Sequence, residues 1–346
     1  MRLFEEGKSG FIRYMEMIEI TPAVVEPENP VTLPEVRGEI CFEDVSFHYP
    51  DAEENVLEHL TFSVASGESV AFAGASGIGK TTVSMLAARF YDVTGGQVLV
   101  DGRDVREFTF DALYDRLGYV TQRATLFSGT VQSNVFFGSG CAPETDETLQ
   151  KALDLSQAAE FVNSYPEGAQ HRIAQLGRNV SGGQKQRLAI ARALARGAEI
   201  LVFDDSFSAL DYRTDAKLRA GLAAQMAGVT KVIVAQRIST IRHADEILVL
   251  ERGEIVGRGT HEELLRSCEV YREIASSQLS QQEQQEGPQT GAQGLVHPPA
   301  VAQGQVLGGQ VGRGGRQPHC GEGQHHRGHG HHQLVQPHDL RPRQAG

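Results

Sequence analysis

Residues 70–82 read VAFAGASGIGKTT, and their order decides the fold. A short apolar run leads into a glycine turn, and the helical pattern TTVSMLAARFYD follows. Within the turn, Gly74, Gly79, Lys80 and Thr81 fit G-x-x-x-x-G-K-[ST] in the strand–turn–helix context that gives the pattern its meaning. Glycines let the backbone wrap tightly, so that its N–H groups point inward at an anion. The helix N-terminus adds its positive dipole end. Gly74, Ser76, Gly77, Gly79, Lys80, Thr81 and Thr82 therefore read as a cradle for a phosphate chain. Lys80 can reach the β- and γ-phosphates of such a chain, and the Thr81 hydroxyl can hold Mg²⁺.

The same alternation continues on both sides. Short apolar runs at ILVFDD (200–205) and VIVAQ (232–236) have the composition of strands buried on both faces. Helical stretches separate them, which predicts an α/β fold with a mostly parallel core sheet. Upstream, EICFEDVSFHYP (39–50) alternates apolar and polar residues like a half-buried strand, and 56–74 supplies two more strands. Residues 145–177 differ: LQKALDLSQAAEFV is helical in pattern, no strand-like run is evident, and the stretch reads as a helical insertion. Residues 1–20 carry Leu3, Phe4, Phe11, Ile12, Met15 and Ile18 at helical spacing, and the four prolines of 21–36 end that helix in a linker.

Charge and composition exclude several classes. The net charge is −12 over 346 residues, with −13 on residues 1–280 and +1 on residues 281–346. An acidic body argues against nucleic acid as a partner, since sequence-independent binding needs a positive field. The four cysteines, Cys41, Cys141, Cys268 and Cys320, match neither a zinc spacing nor a disulfide framework. No apolar run is long enough to span a bilayer. Residues 281–346 hold 14 Gly, 14 Gln and 8 of the 13 His without Phe, Tyr, Lys or Ser, a composition that cannot build a core. His325, His326, His329, His331 and His332 in that tail read as solvated residues with incidental metal affinity.

Two further motifs carry chemistry. ILVFDD delivers Asp204 and Asp205 at the end of a buried strand, where Asp204 would hold Mg²⁺ and Asp205 would face an attacking water. VSGGQKQRLAIAR (180–192) places Ser181, Gly182, Gly183 and Gln184 at the start of an amphipathic helix, a second anion-seeking terminus. One nucleotide hardly needs both loops, so the second invites a nucleotide held by another subunit.

The ordered set GASGIGKTT, YVTQ (119–122), SGGQ (181–184), ILVFDD and SALD (208–211) resembles the nucleotide-binding domain of an ATP-binding cassette (ABC) protein, over about residues 38–275. The resemblance implies a P-loop NTPase cassette with an antiparallel β-subdomain and a helical subdomain at about 125–195. It implies ATP and Mg²⁺ as cofactors, Tyr49 as the ring that stacks on adenine, and Gln122 as a further contact to Mg²⁺ beside Thr81 and Asp204. It also implies two cassettes bound head to tail, each trapping ATP against the other's SGGQ, with Ser208–Asp211 crossing between them. YVTQRATLFSGTVQSNVFFG (119–138) is similar to the exporter pattern. LFEEGKSGFIRYMEMIEITP (3–22) is similar to the cytosolic end of an exporter's last transmembrane helix. On that reading, 1–37 is helix extension plus linker, 38–280 the cassette and 281–346 a disordered tail. The transmembrane domains lie upstream of this chain, and the chain works on the cytoplasmic face of a membrane.

The chain departs from the family twice. The family places Glu where Asp205 stands and His where Gln236 stands. Asp is one methylene shorter, which sets its carboxylate roughly 1.5 Å back, and a misplacement of that size costs about a hundredfold in rate. Gln236 donates a hydrogen bond but cannot exchange a proton near neutral pH. The candidate catalytic residues Asp205, Gln236 and Gln122 thus resemble those of the degenerate-site subunit of a heterodimeric exporter. Its partner, a second half-transporter, carries the Glu and His. The alternatives are an ordinary homodimeric exporter ATPase, or an ATP-gated clamp with negligible turnover.

Overall fold

The computed structural model describes residues 2–31, 37–138 and 142–285. The chain runs α1 (Arg2–Ile18), β1 (Ile40–Phe47), β2 (Leu57–Val64), β3 (Ser69–Ala73), α2 (Lys80–Ala87), β4 (Gly95–Val100), β5 (Arg103–Asp104), α3 (Phe110–Tyr114) and β6 (Leu117–Val120). A mostly helical stretch follows: β7 (Gly129–Thr130), α4 (Val131–Val135), α5 (Asp146–Leu155), α6 (Ala159–Val162), β8 (Arg172–Ile173) and α7 (Gly182–Ala195). The chain then returns through β9 (Ile200–Asp204), α8 (Tyr212–Gln225), β10 (Thr230–Val234), α9 (Ile238–Ile241), β11 (Glu246–Glu251), β12 (Glu254–Gly259), α10 (His261–Ser267) and α11 (Glu269–Gln285).

The core is a six-stranded sheet in the order β12-β11-β3-β10-β9-β6. All neighbours are parallel except β12, which pairs antiparallel with β11. Every residue of β9 and β10 is buried, as their uninterrupted apolar runs predict. Successive side chains serve opposite faces. Leu201, Phe203 and Ile233 pack into one core with α5, α7 and α8, whereas Ile200, Val202, Val232 and Val234 pack into another with α2 and the second sheet.

That second sheet is antiparallel, in the order β2-β1-β4-β5. Its first strand does not alternate evenly. Phe42 pairs with Phe62 but Val45 with Leu60, so one extra residue sits between them. Asp44 takes up the bulge at φ +51, and its N–H donates to Thr61 Oγ1. Gly96, at φ +74, lies against this bulge: a Cβ there would sit 2.3 Å from the Asp44 carbonyl oxygen. Gly96→Ala combines left-handed strain with a backbone clash, together about 3 kcal/mol. A melting experiment should show a fall of about 10 °C.

The expectation that 145–177 contains no strand needs correction. Arg172–Ile173 forms β8 and pairs antiparallel with Gly129–Thr130. Two residues are too few to show an alternation, and a partner more than forty residues away supplied the pairing. The α11 backbone is helical to Gln285; Gln and Glu are good helix formers. The remainder of the tail, with its histidines, lies outside the described residues, as do Cys141 and Cys320. Among the described residues no helix is long and apolar enough to cross a membrane.

Candidate functional site

Strand register assembles the site. In the parallel block, Val234 of β10 pairs with Phe72 of β3 and with Asp204 of β9, and Val120 of β6 pairs with Phe203. All four strands therefore end at one edge of the sheet. The loops after them carry the glycine turn, Gln122, Asp205 and Gln236. Ligands of open α/β sheets bind at that carboxyl edge.

The glycine turn occupies the space between β3 and α2. Gly74 has φ +152, and a Cβ there would lie 2.6 Å from the Leu250 carbonyl oxygen. Gly79, at φ +100, is the N-cap of α2. Lys80 is buried, and its ammonium donates to the Gly74 and Ala75 carbonyls at 2.8 and 2.6 Å. Burial pushes its pKa below the ordinary lysine value, while Asp205 and Asp204 oppose that shift.

Two carboxylates face this turn. The Thr81 hydroxyl donates to Asp204 Oδ1 at 2.8 Å, and the Tyr119 hydroxyl donates to Oδ2 at 3.3 Å. Burial raises the Asp204 pKa above its ordinary value even though these two bonds favour the carboxylate. Burial likewise raises that of Tyr119. Asp205 has φ +43, an uncommon conformation for a residue other than Gly, Asn or Asp. Its N–H donates to the Val234 carbonyl at 2.7 Å, which turns the side chain back toward the sheet edge. There Oδ2 accepts from Gln122 Nε2 at 3.0 Å and from Gln236 Nε2 at 2.9 Å.

The result is a cleft of about 340 Å³. Ser76, Gly77, Gly79, Lys80, Thr81 and Thr82 line it from the turn and the start of α2. Gln122, Asp205 and Gln236 line it from three other loops, and Tyr49 joins from the antiparallel sheet. Tyr49 is braced edge-on by Phe47 and Tyr91, and its hydroxyl shares a 3.0 Å hydrogen bond with Thr82. Gly74 and Asp204 stand behind the lining: one supplies a carbonyl to Lys80, the other an acceptor to Thr81.

The structure does not bring Ser181–Gln184 into this cleft. They begin α7, where Ser181 and Gln184 form a reciprocal capping box. Ser181 and Gly182 are exposed. The SALD loop is nearer: the Ser208 N–H and hydroxyl both donate to the Asp205 carbonyl, and Asp211 caps α8.

The donor set suits Mg²⁺. The Thr81 hydroxyl, the Asp204 and Asp205 carboxylates and the Gln122 amide offer hard oxygens beside a phosphate cradle, and Mg²⁺ takes one or two carboxylates plus substrate phosphates. Among the described residues no group of three His, Cys, Asp or Glu could cage a metal on its own.

Motif reading missed the partners of Asp204. Tyr119 lies within YVTQ and Ser84 within α2, and their hydroxyls meet at 3.0 Å beneath the carboxylate. Tyr119 stands three residues before Gln122 at the end of a strand. That position was the one available signal.

The cradle, the paired carboxylates and the sheet order define a P-loop NTPase of the ABC cassette fold. Residues 57–208 match the family described as ABC transporter. The chain carries an ABC transporter ATP-binding domain. An uncharacterised ABC transporter ATP-binding protein of Mycobacterium bovis is 44% identical over 270 residues, which cover 77% of this chain and 46% of that protein. An ATP-dependent lipid A-core flippase of Syntrophus aciditrophicus is 40% identical over 270 residues, 78% of this chain and 44% of the flippase. A solved bacterial Atm1-family ABC exporter with ATP bound superposes with a TM-score of 0.73 at 34% identity, covering 80% of this chain and 48% of that one. The chain thus spans about half the length of the relatives it matches.

Proposed function

We propose that this chain is the ATP-binding and ATP-hydrolysing module of an ABC exporter, seated on the cytoplasmic face of a membrane, and that its own ATP site hydrolyses poorly. The exporter reading draws on the flippase and Atm1-family relatives. It also draws on α1, whose Phe11, Ile12 and Ile18 are exposed, as suits a helix that continues from a membrane-spanning domain.

ATP would lie with its phosphates on the turn from Gly74 to Thr82 and its base against Tyr49. Thr81, Asp204 and Gln122 would hold Mg²⁺, which supplies charge neutralisation at the phosphates. Lys80 orients the phosphate chain. Asp205, which lines the cleft, would face an attacking water.

One observation carries the weak-site reading. The Asp205 Oδ2 that would take the water's proton already accepts two N–H bonds, from Gln122 and Gln236. Neither amide can take or return a proton. In the family's pattern a longer Glu and a His stand where this chain has Asp205 and Gln236. The Ser181–Gln184 loop lies outside this chain's own cleft, so it would complete the site of a second half-transporter that carries the Glu and His. Each such partner contributes its own transmembrane domains.

The test is ATP affinity and steady-state hydrolysis measured side by side with Mg²⁺. Saturable binding with turnover near background is the expected result. Turnover of about 1 per second or more, ordinary for an enzyme, would overturn the weak-site reading in favour of a homodimeric exporter ATPase.

A further inference from the structure

We propose that Gln278, on the C-terminal helix α11, is a positioning residue for the ATP site: its side-chain amide fixes the backbone that carries Gln236 and so holds Gln236 against Asp205. The inference deepens the ATP-site assignment above and rests on it.

Helical spacing puts Gln278 where it is. Tyr271, Ala275 and Gln278 share one face of α11, and the first two are buried in the core. A third apolar residue would continue that stripe. A glutamine stands there instead, and both ends of its amide are used. Nε2 donates to the Gln236 carbonyl at 2.6 Å, and Oε1 accepts from the Ile238 N–H at 2.8 Å.

The turn needs this support. Ile238 opens α9, a helix of four residues whose N-cap, Arg237, supplies no side-chain acceptor. The first N–H groups of a helix have no partner within it. Arg237 is committed elsewhere, donating to the Ser208 and Leu210 carbonyls. Gln278 therefore satisfies the N–H that the local sequence leaves open. Between its two contacts the chain has little freedom, and Gln236 Nε2 meets Asp205 Oδ2 at 2.9 Å. A path thus runs from the C-terminal helix through the backbone carbonyl and then the side chain of Gln236 to the carboxylate. Gln278 does not line the cleft, so it acts through Gln236.

The test compares Gln278→Ala with Arg272→Ala, which lies on the exposed side of the same helix. Single-turnover and steady-state kinetics are measured on the unaltered chain, in which Gln236 and Asp205 are both present. Gln278→Ala should raise kcat about tenfold with KM held within about twofold, because releasing Gln236 removes one of the two amide donors on Asp205 Oδ2 while the phosphate cradle is untouched. Hydrogen exchange of the Ile238 amide should quicken about tenfold, without a matching rise in the core strands. Gln278→Glu keeps the acceptor for Ile238 and loses the donor to Gln236, so it should restore the protection but leave kcat raised. An unchanged kcat and protection in Gln278→Ala would overturn the proposal, as would an equal effect from Arg272→Ala. Brisk turnover by the unaltered chain would sink the weak-site reading alone and leave this test in force.

Discussion

Lys80→Met should weaken ATP binding about a hundredfold and leave the nucleotide-free chain as stable as before. The first half follows from charge. Hydrogen bonds to ionised groups contribute about 1.5–3 kcal/mol each, and the upper figure corresponds to roughly two decades of affinity. The second half follows from burial. Lys80 is only 7% exposed, and burial is the largest influence on its ammonium, holding the pKa below the ordinary lysine value. A lowered pKa means that the fold disfavours the charged form. Met removes that penalty and gives up two hydrogen bonds to carbonyls. The two effects oppose each other. Linkage fixes a further sign: the unfolded chain binds the Lys80 proton more tightly, so the unaltered chain should gain stability relative to Lys80→Met as pH rises toward the ordinary lysine range. Titration with a fluorescent ATP analogue and melting curves at two pH values check all three statements. Unweakened binding in Lys80→Met would remove the glycine turn as the phosphate cradle.

Asp205→Glu combined with Gln236→His should raise ATP turnover about a hundredfold, with little change in ATP affinity. Glu carries its carboxylate about one bond length further into the cleft and frees it from the present geometry, in which one oxygen serves two amide donors. The imidazole introduced by Gln236→His would bring a group that exchanges protons near neutral pH. Each single change should give less than the pair, since residues that act as a unit are not additive. Asp205 has a positive φ; Glu tolerates that conformation less well than Asp, so some melting temperature is expected to be lost. Steady-state kinetics on the two single variants and the double variant decide it. If the double variant is no faster, the slowness lies in the rest of the site rather than at these two positions.

These outcomes depend on contacts of very different legibility. Lys80 and Thr81 are readable because a phosphate cradle is local. Six residues of turn and the first residues of a helix make it, and glycine positions show where the backbone must bend. The buried strands were equally readable, since ILVF and VIVA are apolar without alternation. The bulge at Asp44 was not, because alternation survives on either side of it and only the partner strand reveals the extra residue. Ser181 and Gln184 could be read as a helix start, and the surplus of anion-seeking loops already pointed them at another subunit's nucleotide; the reciprocal capping box that closes this helix start appears only in the fold.

By itself the sequence determined the α/β class, the glycine turn, the two aspartates at a strand end and the helix start at Ser181. Each of these is a short-range property, set by side-chain periodicity, glycine freedom and capping. Tertiary structure alone decided which of them meet. The order β3-β10-β9-β6 is not the order of the chain, and it is that order which sets Gln122 and Gln236 on the same oxygen of Asp205, from 83 and 31 residues away. It also sets Tyr119 beneath Asp204 and Gln278 across the turn at Gln236. A hydrogen bond requires approach to about 3 Å. No spacing along a chain specifies that approach; parallel strands in register, packed between two cores, do.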